Sequence, residues 1–146
     1  MNEILSVIIA SMLPISELRG SIPLGLKLGI DPKFVIITSI IFNALVFFPI
    51  YFGLELFYHK IFSKFEIVER CMKRILKHKE KVDKYGYFGL AILVAIPLPF
   101  TGAWTGSALA WLLRLEWKKS FLSIFLGVLL AGIIVSLISL SIFTLI

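Results

Sequence analysis

Pro97-Leu98-Pro99-Phe100-Thr101-Gly102 lies in the middle of an uncharged stretch of 29 residues, from Tyr85 to Leu113. Two prolines separated by one residue interrupt a helix, because proline lacks the backbone N–H and its ring clashes with the preceding turn. Irregular backbone at membrane depth is tolerated where it is buried in protein or lines a wet cavity. The stretch therefore predicts a re-entrant hairpin, in which one short helix enters the membrane and another returns to the same side. The alternative is a single kinked spanning helix.

A second interrupted stretch lies near the N-terminus. An apolar run of 13 residues, Ile4 to Ser16, is followed by Glu17-Leu18-Arg19-Gly20-Ser21-Ile22-Pro23-Leu24-Gly25. The run is too short to cross a hydrocarbon core of about 30 Å, and glycine and proline again follow it. This stretch predicts a second hairpin of the same kind.

Two uninterrupted apolar stretches predict membrane-spanning helices. Residues 34–54 give 21 uncharged residues and residues 120–146 give 27, each enough to cross about 30 Å at about 1.5 Å per residue. We expect Pro49 to bend the first span, and Asn43 to make a hydrogen bond between helices rather than a substrate contact.

The composition excludes a soluble globular domain and a disordered chain. Hydrophobic residues make up 59% of the chain and charged residues 16%, and the mean hydropathy is +0.98. Globular proteins average about 45–50% and about 25%, respectively. The chain is long enough for one membrane domain and indicates an integral membrane protein.

The charges are concentrated between Lys60 and Lys84, which hold 13 of the 24 charged residues and five of the six net positive charges. A basic segment beside a membrane span is typically cytoplasmic and faces anionic lipid. Nucleic-acid binding is not expected, because no recognition motif accompanies the charge. Favourable i,i+4 pairs predict an amphipathic surface helix: Glu66 with Arg70, Glu69 with Lys73, and Glu80 with Lys84.

The predicted fold is an all-α integral membrane protein built as an inverted repeat. Each unit is a re-entrant hairpin followed by a transmembrane helix, and a cytoplasmic amphipathic helix joins the units. The expected segments are a first hairpin (1–33), a first span (34–58), the basic linker (59–84), a second hairpin (85–119) and a second span (120–146). With the linker in the cytoplasm, both termini lie outside a multi-pass cell-membrane protein.

Glu17 and Arg19 are the strongest candidates for function. A charged side chain at membrane depth costs at least about 2.5–3.5 kcal/mol. A carboxylate that can take up a proton, next to a fixed cation, can serve proton coupling and anion binding. Burial would raise the pKa of Glu17 and Arg19 would lower it. The alternative is a self-neutralising pair near the water boundary.

Helix starts near the two breaks supply further anion-binding groups, because free N–H groups and the helix dipole attract negative charge. Residues 20–25 and 102–106 lie near such starts, and Thr101, Thr105 and Ser107 add hydroxyl groups. Together they predict a midplane pocket for a phosphate or a carboxylate. The alternative is a tight turn whose hydroxyls are satisfied locally.

Small residues at every fourth position predict close helix contacts. One stripe contains Ser123, Gly127 and Ala131; the other contains Gly102, Gly106 and Ala110. Either stripe could instead be a dimer seam, and we expect a homodimer because the interrupted backbone must be buried. Trp104, Trp111 and Trp117 are expected to be interfacial or packing residues.

The two quoted motifs, with Ala103-Trp104-Thr105-Gly106 completing the second, resemble the small multidrug export family, which is thought to be distantly related to the DedA membrane proteins. The resemblance implies an integral membrane protein with paired re-entrant hairpins. For DedA relatives it implies proton-dependent movement of lipid phosphate carriers. DedA-type second hairpins carry arginines near the proline turn, whereas residues 85–113 have no charge and Arg114 is the nearby substitute.

The leading functional prediction is a small transporter or flippase that is proton-coupled and moves an amphiphilic anion, such as a lipid phosphate. Alternatives are a proton-coupled exporter of hydrophobic cations and a non-transporting assembly factor that packs partner proteins. No enzyme activity, metal or cofactor is expected, because the sequence has no nucleophile–base set, acidic dyad or metal-ligand spacing. The residues predicted to bind substrate or proton are Glu17, Arg19, Gly20, Pro23, Gly25, Pro97, Pro99, Thr101, Gly102, Thr105, Gly106 and Arg114.

Overall fold

The computed structural model describes residues 2–58, 60, 66–76, 79–98 and 101–146, and the regular structure in this part of the chain is entirely helical. The helices are α1 (Glu3–Met12), α2 (Glu17–Lys27), α3 (Pro32–Leu45), α4 (Phe47–Phe57), α5 (Glu66–Leu76), α6 (Lys79–Ala95), α7 (Ala103–Leu112) and α8 (Trp117–Leu145).

Within the described residues, two segments are long and apolar enough to cross a membrane: Pro32–Phe57, with 26 residues, and α8, with 29. The first is interrupted at Val46, between α3 and α4. Pro49 accounts for the break, because it cannot donate to the carbonyl of residue 45 and its ring collides there. The interruption lies one turn before Pro49, the residue predicted to bend the first span.

The remaining apolar helices are short. Helices α1, α2 and α7 have 10, 11 and 10 residues, which corresponds to about 15–17 Å. Helix α1 contacts α2, and α6 contacts α7. Helix α6 is kinked at Gly86, whose φ of 59° separates its charged start from its apolar end.

Helices α2 and α7 end in the same way. After α2, Gly29 N–H donates to the carbonyl of Leu26, and Ile30 N–H donates to that of Gly25. After α7, Arg114 and Leu115 make the equivalent bonds to Trp111 and Ala110. This is the Schellman arrangement, in which the residue after the helix cap has a positive φ. The φ is 74° at Gly29 and 53° at Arg114.

Helix α8 is the central packing element, with contacts to α2, α3, α6 and α7. A Cβ on Gly127 would lie 2.6 Å from the carbonyl oxygen of Ala91 and 2.7 Å from Cβ of Val94, both on α6. Ser123 and Ala131 are likewise buried. The close helix contact predicted for this stripe is present, but it lies within one chain. The alternative that this stripe is a dimer seam is therefore wrong.

The basic linker includes α5 and the start of α6. Two predicted ion pairs are present and exposed, Arg70 with Glu66 at 3.7 Å and Lys73 with Glu69 at 3.5 Å. Residues 59, 61–65 and 77–78 and the side chains of the third pair, Glu80 and Lys84, lie outside the described part of the molecule.

Candidate functional site at the hairpin turns

A small pocket lies between the start of α2, the end of α6, the turn before α7, and helices α3 and α8. Its volume is about 10 Å³, close to the lower limit for one water molecule. The pocket therefore has room for one water molecule at most. Its lining residues are Glu17, Leu18, Arg19, Asn43, Val94, Pro97, Thr101, Gly102, Val128, Ala131 and Val135.

Glu17 is buried at the start of α2, with only 6% of its surface exposed. Its φ of 44° is unusual for a residue with a side chain, and this conformation costs of order 1–2 kcal/mol. Such conformations persist where surrounding contacts hold them and are found at functional sites. The contacts of its carboxylate are consistent with that explanation.

The carboxylate of Glu17 lies at the N-terminus of α7. Its Oε1 atom accepts a hydrogen bond from the backbone N–H of Trp104 at 3.4 Å. Gly102 is the N-cap of α7, and a Cβ placed there would overlap Oε2 of Glu17. The absence of a side chain at Gly102 thus makes room for the carboxylate, which the helix dipole stabilises.

Arg19 is the second positive partner of this carboxylate. Its Nη2 atom lies 3.4 Å from Oε2 of Glu17 and also donates to the carbonyl oxygen of Thr101. The Glu17 side chain is 8% exposed and that of Arg19 is 29% exposed. One negative group is therefore held between the guanidinium of Arg19 in α2 and the N-terminus of α7.

Two further hydrogen bonds fix the elements around the pair. Trp104 Nε1 donates to the carbonyl of Met12 at 2.9 Å, and Asn43 Nδ2 donates to the carbonyl of Ser11 at 2.8 Å. The predicted interhelical bond of Asn43 is confirmed, and Asn43 also lines the pocket. Trp104 was predicted as an interfacial or packing residue, and that prediction is incomplete, because it joins the end of α1 to α7.

The hydroxyl of Thr101 is engaged within its own turn. Its Oγ1 atom lies 2.6 Å from the carbonyl oxygen of Ile96 and 2.8 Å from that of Leu98. The backbone N–H of Leu98 donates to it at 3.2 Å. The prediction of a free hydroxyl for the substrate is therefore wrong here, and the locally satisfied turn is correct. Thr101 contributes its carbonyl instead.

The structure brings together five of the predicted site residues: Glu17, Arg19, Pro97, Thr101 and Gly102. Six others do not line the pocket: Gly20, Pro23, Gly25, Thr105, Gly106 and Arg114. Pro99 lies outside the described residues.

Several of the six predicted residues that do not line the pocket have a role in helix packing or backbone geometry instead. A Cβ on Gly25 would lie 2.6 Å from Val35, and one on Gly106 would lie 2.6 Å from Val94. Arg114 is exposed beyond the far end of α7. Pro23, inside α2, removes the N–H that would bond the carbonyl of Arg19.

The apolar wall of the pocket is the part that sequence reasoning missed. Val128, Ala131 and Val135 lie on one face of α8 and are buried there. Their apolar character gives no functional signal, since the whole helix is apolar. Among the described residues, no group of three or more His, Cys, Asp or Glu side chains could hold a metal ion.

The fold and the site together define a helical membrane protein with a buried charged site where the start of α2 meets the start of α7. The family model described as "Putative small multi-drug export protein" matches residues 17–134. The chain belongs to this family, and the match begins at Glu17 itself. No curated protein and no solved structure matches the chain.

Proposed function

We propose that the protein is a proton-coupled membrane transporter or flippase, and not an enzyme, whose substrate is an amphiphilic anion such as a lipid phosphate. The observation that carries this proposal is the convergence of Arg19 and the N-terminus of α7 on one carboxylate. Both groups favour negative charge, and a guanidinium also matches the geometry of oxyanions.

The depth of the site supports a role in transport. Ala131 is the middle residue of α8, with 14 residues on either side of it, or about 21 Å of helix. Asn43 lies near the middle of Pro32–Phe57. A site at the middle of both candidate spans would be equally distant from the two membrane faces, as alternating access requires.

The inverted repeat and the re-entrant hairpins belong to the same proposal. Helices of 10 or 11 residues reach about half of a hydrocarbon core of about 30 Å. The matching helix ends at Gly29 and Arg114 are 85 residues apart, and Leu13-Pro14 and Leu98-Pro99 have the same spacing in the sequence. Each unit would cross the membrane once, in its single span. The second unit would therefore start on the opposite side of the membrane from the first and would be inverted relative to it.

The orientation follows from charge. The linker and the segment with Arg114, Lys118 and Lys119 would face the cytoplasm, and both termini would lie outside. Membrane lipids would cover the apolar outer faces. A homodimer remains part of the proposal, with its interface on a face other than the Ser123, Gly127 and Ala131 stripe.

Export of hydrophobic cations is the second candidate, and the family description favours it. In that case Glu17 would bind the cation or a proton. Arg19 argues against this function. Its positive charge lies 3.4 Å from Glu17, the only other charged residue that lines the described pocket, and would repel a bound cation.

Transport by the purified protein in liposomes distinguishes an anionic substrate from a cationic one. We expect uptake of dihexyl phosphate to depend on pH, and Arg19→Lys to reduce it about tenfold or more, because lysine keeps the charge but loses the two-donor fork. Glu17→Gln should remove the pH dependence and most of the transport. Arg114→Lys is the matched control and should transport normally.

Uptake of the hydrophobic cation tetraphenylphosphonium by the same vesicles tests the second candidate. Uptake of this cation by the wild type, unchanged in Arg19→Lys and increased in Arg19→Ala, would contradict the anion proposal and establish the second candidate. Full anion transport in Glu17→Gln at every pH would remove the carboxylate from the mechanism.

A further inference from the structure

We propose that the carboxylate of Glu17 is a built-in occupant of the substrate's oxyanion site. The first turn of α7 and Arg19 hold one anionic group at a time, and the substrate's oxyanion takes the place of Glu17 once Glu17 has taken up a proton. This inference rests on the proposed function and names the recognised group: a singly charged oxyanion, either a carboxylate or a phosphodiester.

The geometry at Gly102 shows that the space is shaped for a carboxylate. A Cβ there would lie 2.9 Å from both Cδ and Oε1 of Glu17 and would overlap Oε2. The two oxygens have separate partners, the N–H of Trp104 for Oε1 and the guanidinium of Arg19 for Oε2. An external oxyanion would meet the same donors.

The same space cannot hold two anions. The pocket beside Glu17 has room for one water molecule at most. A second oxyanion would also meet the charge of Glu17 in a buried setting, where like charges repel strongly. The substrate can therefore enter only after the Glu17 carboxylate has left the end of α7.

Glu17 is held in a way that permits release. Its two polar contacts are both 3.4 Å long, beyond the usual 2.7–3.2 Å range of such bonds. Its φ of 44° is an unfavourable one. A proton on the carboxylate removes its attraction to Arg19 and to the helix dipole, so the neutral acid is free to leave.

One titrating group controls this exchange. Among the described lining residues, Arg19 is the only other charged group. The other elements contribute neutral groups: Asn43 from α3, Val94 from α6, and Val128, Ala131 and Val135 from α8. Binding of one anion thus takes up one proton, and the net charge of the site is unchanged. This linkage would couple the proton and the substrate one to one.

Binding measurements on the purified protein in detergent test the linkage separately from transport. The probe is dihexyl phosphate, whose phosphodiester stays singly charged, and decanoate is the carboxylate probe. Calorimetry in buffers of different ionisation enthalpy gives the protons taken up per anion. We expect one proton for the wild type and an affinity that falls about tenfold per pH unit where Glu17 is ionised. The probe that binds more tightly identifies the class of headgroup.

In Glu17→Gln we expect no proton uptake and an affinity that changes less than twofold over the same range. Glu17→Asp is a second variant, because its shorter side chain withdraws the carboxylate from Gly102 and should tighten anion binding at alkaline pH. Glu55→Gln is the matched control. Glu55 accepts a hydrogen bond from Trp111 Nε1 at 2.7 Å, near the other end of α7. Loss of the Glu55 charge should leave the number of protons taken up per anion unchanged.

Equal pH profiles in the wild type and Glu17→Gln would overturn the inference, and so would loss of anion binding in folded Glu17→Gln. Absence of binding in every folded variant would contradict the anionic substrate as well. Normal proton-linked binding without transport in liposomes would support the inference and contradict only the proposed transport.

Discussion

Glu17 shows how one residue can meet several requirements of a coupled site. It is buried, it lies 3.4 Å from a guanidinium, and its backbone has a positive φ. The N–H groups in the first turn of α7 have no partner within the helix. The Glu17 carboxylate accepts a hydrogen bond from one of them, as a capping side chain would. Its interactions therefore connect α2 and α7, which are distant in sequence, and any change in its charge affects the contact between them.

Gly102→Ala tests the fit of this carboxylate at the residue scale. The new methyl group would occupy the position of Oε2 and force Glu17 away from α7. We expect a loss of more than about 1 kcal/mol in the free energy of unfolding, because the cap contact is lost and because alanine is strained at the φ of 156° found at Gly102, together with loss of anion transport. The measurements are denaturant unfolding in detergent micelles and uptake by liposomes.

The matched control is Gly53→Ala in α4, where a Cβ would meet nothing within 4 Å. It should be neutral or slightly stabilising, because alanine favours a helix over glycine by up to about 1 kcal/mol. Wild-type transport and stability in Gly102→Ala would show that the carboxylate does not need this space.

Glu17, Arg19 and the residues of the proline turn could be predicted from the sequence, whereas the apolar wall of the pocket and the contact made by Trp104 could not. Glu17 and Arg19 are conspicuous because charges are costly in an apolar segment, and Pro97 and Gly102 because they interrupt one. The role of Trp104 depends on where Met12 lies in space, and no local pattern shows that.

At the scale of elements, α2 and α7 end alike, although the residues at their ends differ. Gly29 accepts a positive φ at little cost, whereas Arg114 does so against the preference of a side chain. Arg114 was predicted as a substitute for the arginines of the DedA-type hairpin. The structure places it at the end of α7, beyond the described pocket.

The helix ends lead to a reciprocal prediction. Arg114→Gly should stabilise the protein by about 1 kcal/mol, and Gly29→Ala should destabilise it by a similar amount, because each changes the cost of the positive φ. A Cβ at Gly29 meets nothing within 4 Å, so the backbone alone is tested. Thermal or denaturant unfolding in detergent gives the comparison. Equal stability of both variants and the wild type would contradict the helix-end assignment.

Element boundaries followed from simple chemical signals where those were local. Pro49 predicted a bend in the first span, which is interrupted between α3 and α4, and charge pairs predicted α5. The stripe of small residues on α8 correctly indicated a close contact. The sequence did not show whether that contact is with a helix of the same chain or with a second copy. Only the packing of Gly127 against Ala91 and Val94 shows that the contact lies within the chain.

At the scale of the whole molecule, the proposal depends on two hairpins that enter from opposite membrane faces and meet at Glu17. Short helices, matching ends and a site at the middle of α8 all favour this arrangement. A kinked spanning helix in place of either hairpin would put the two ends of that hairpin segment on opposite sides of the membrane. Sequence patterns alone could not choose between these topologies, because both satisfy the same hydropathy.

Labelling of single cysteines in intact cells with a membrane-impermeant thiol reagent, in a Cys71→Ser background, tests this arrangement most directly. We predict that Asn2→Cys and Lys33→Cys both react from outside, whereas Tyr85→Cys and Arg114→Cys react only after the cells are opened. Reaction of Asn2→Cys and Lys33→Cys from opposite sides would contradict the first re-entrant hairpin. It would also contradict the midplane site built on that hairpin.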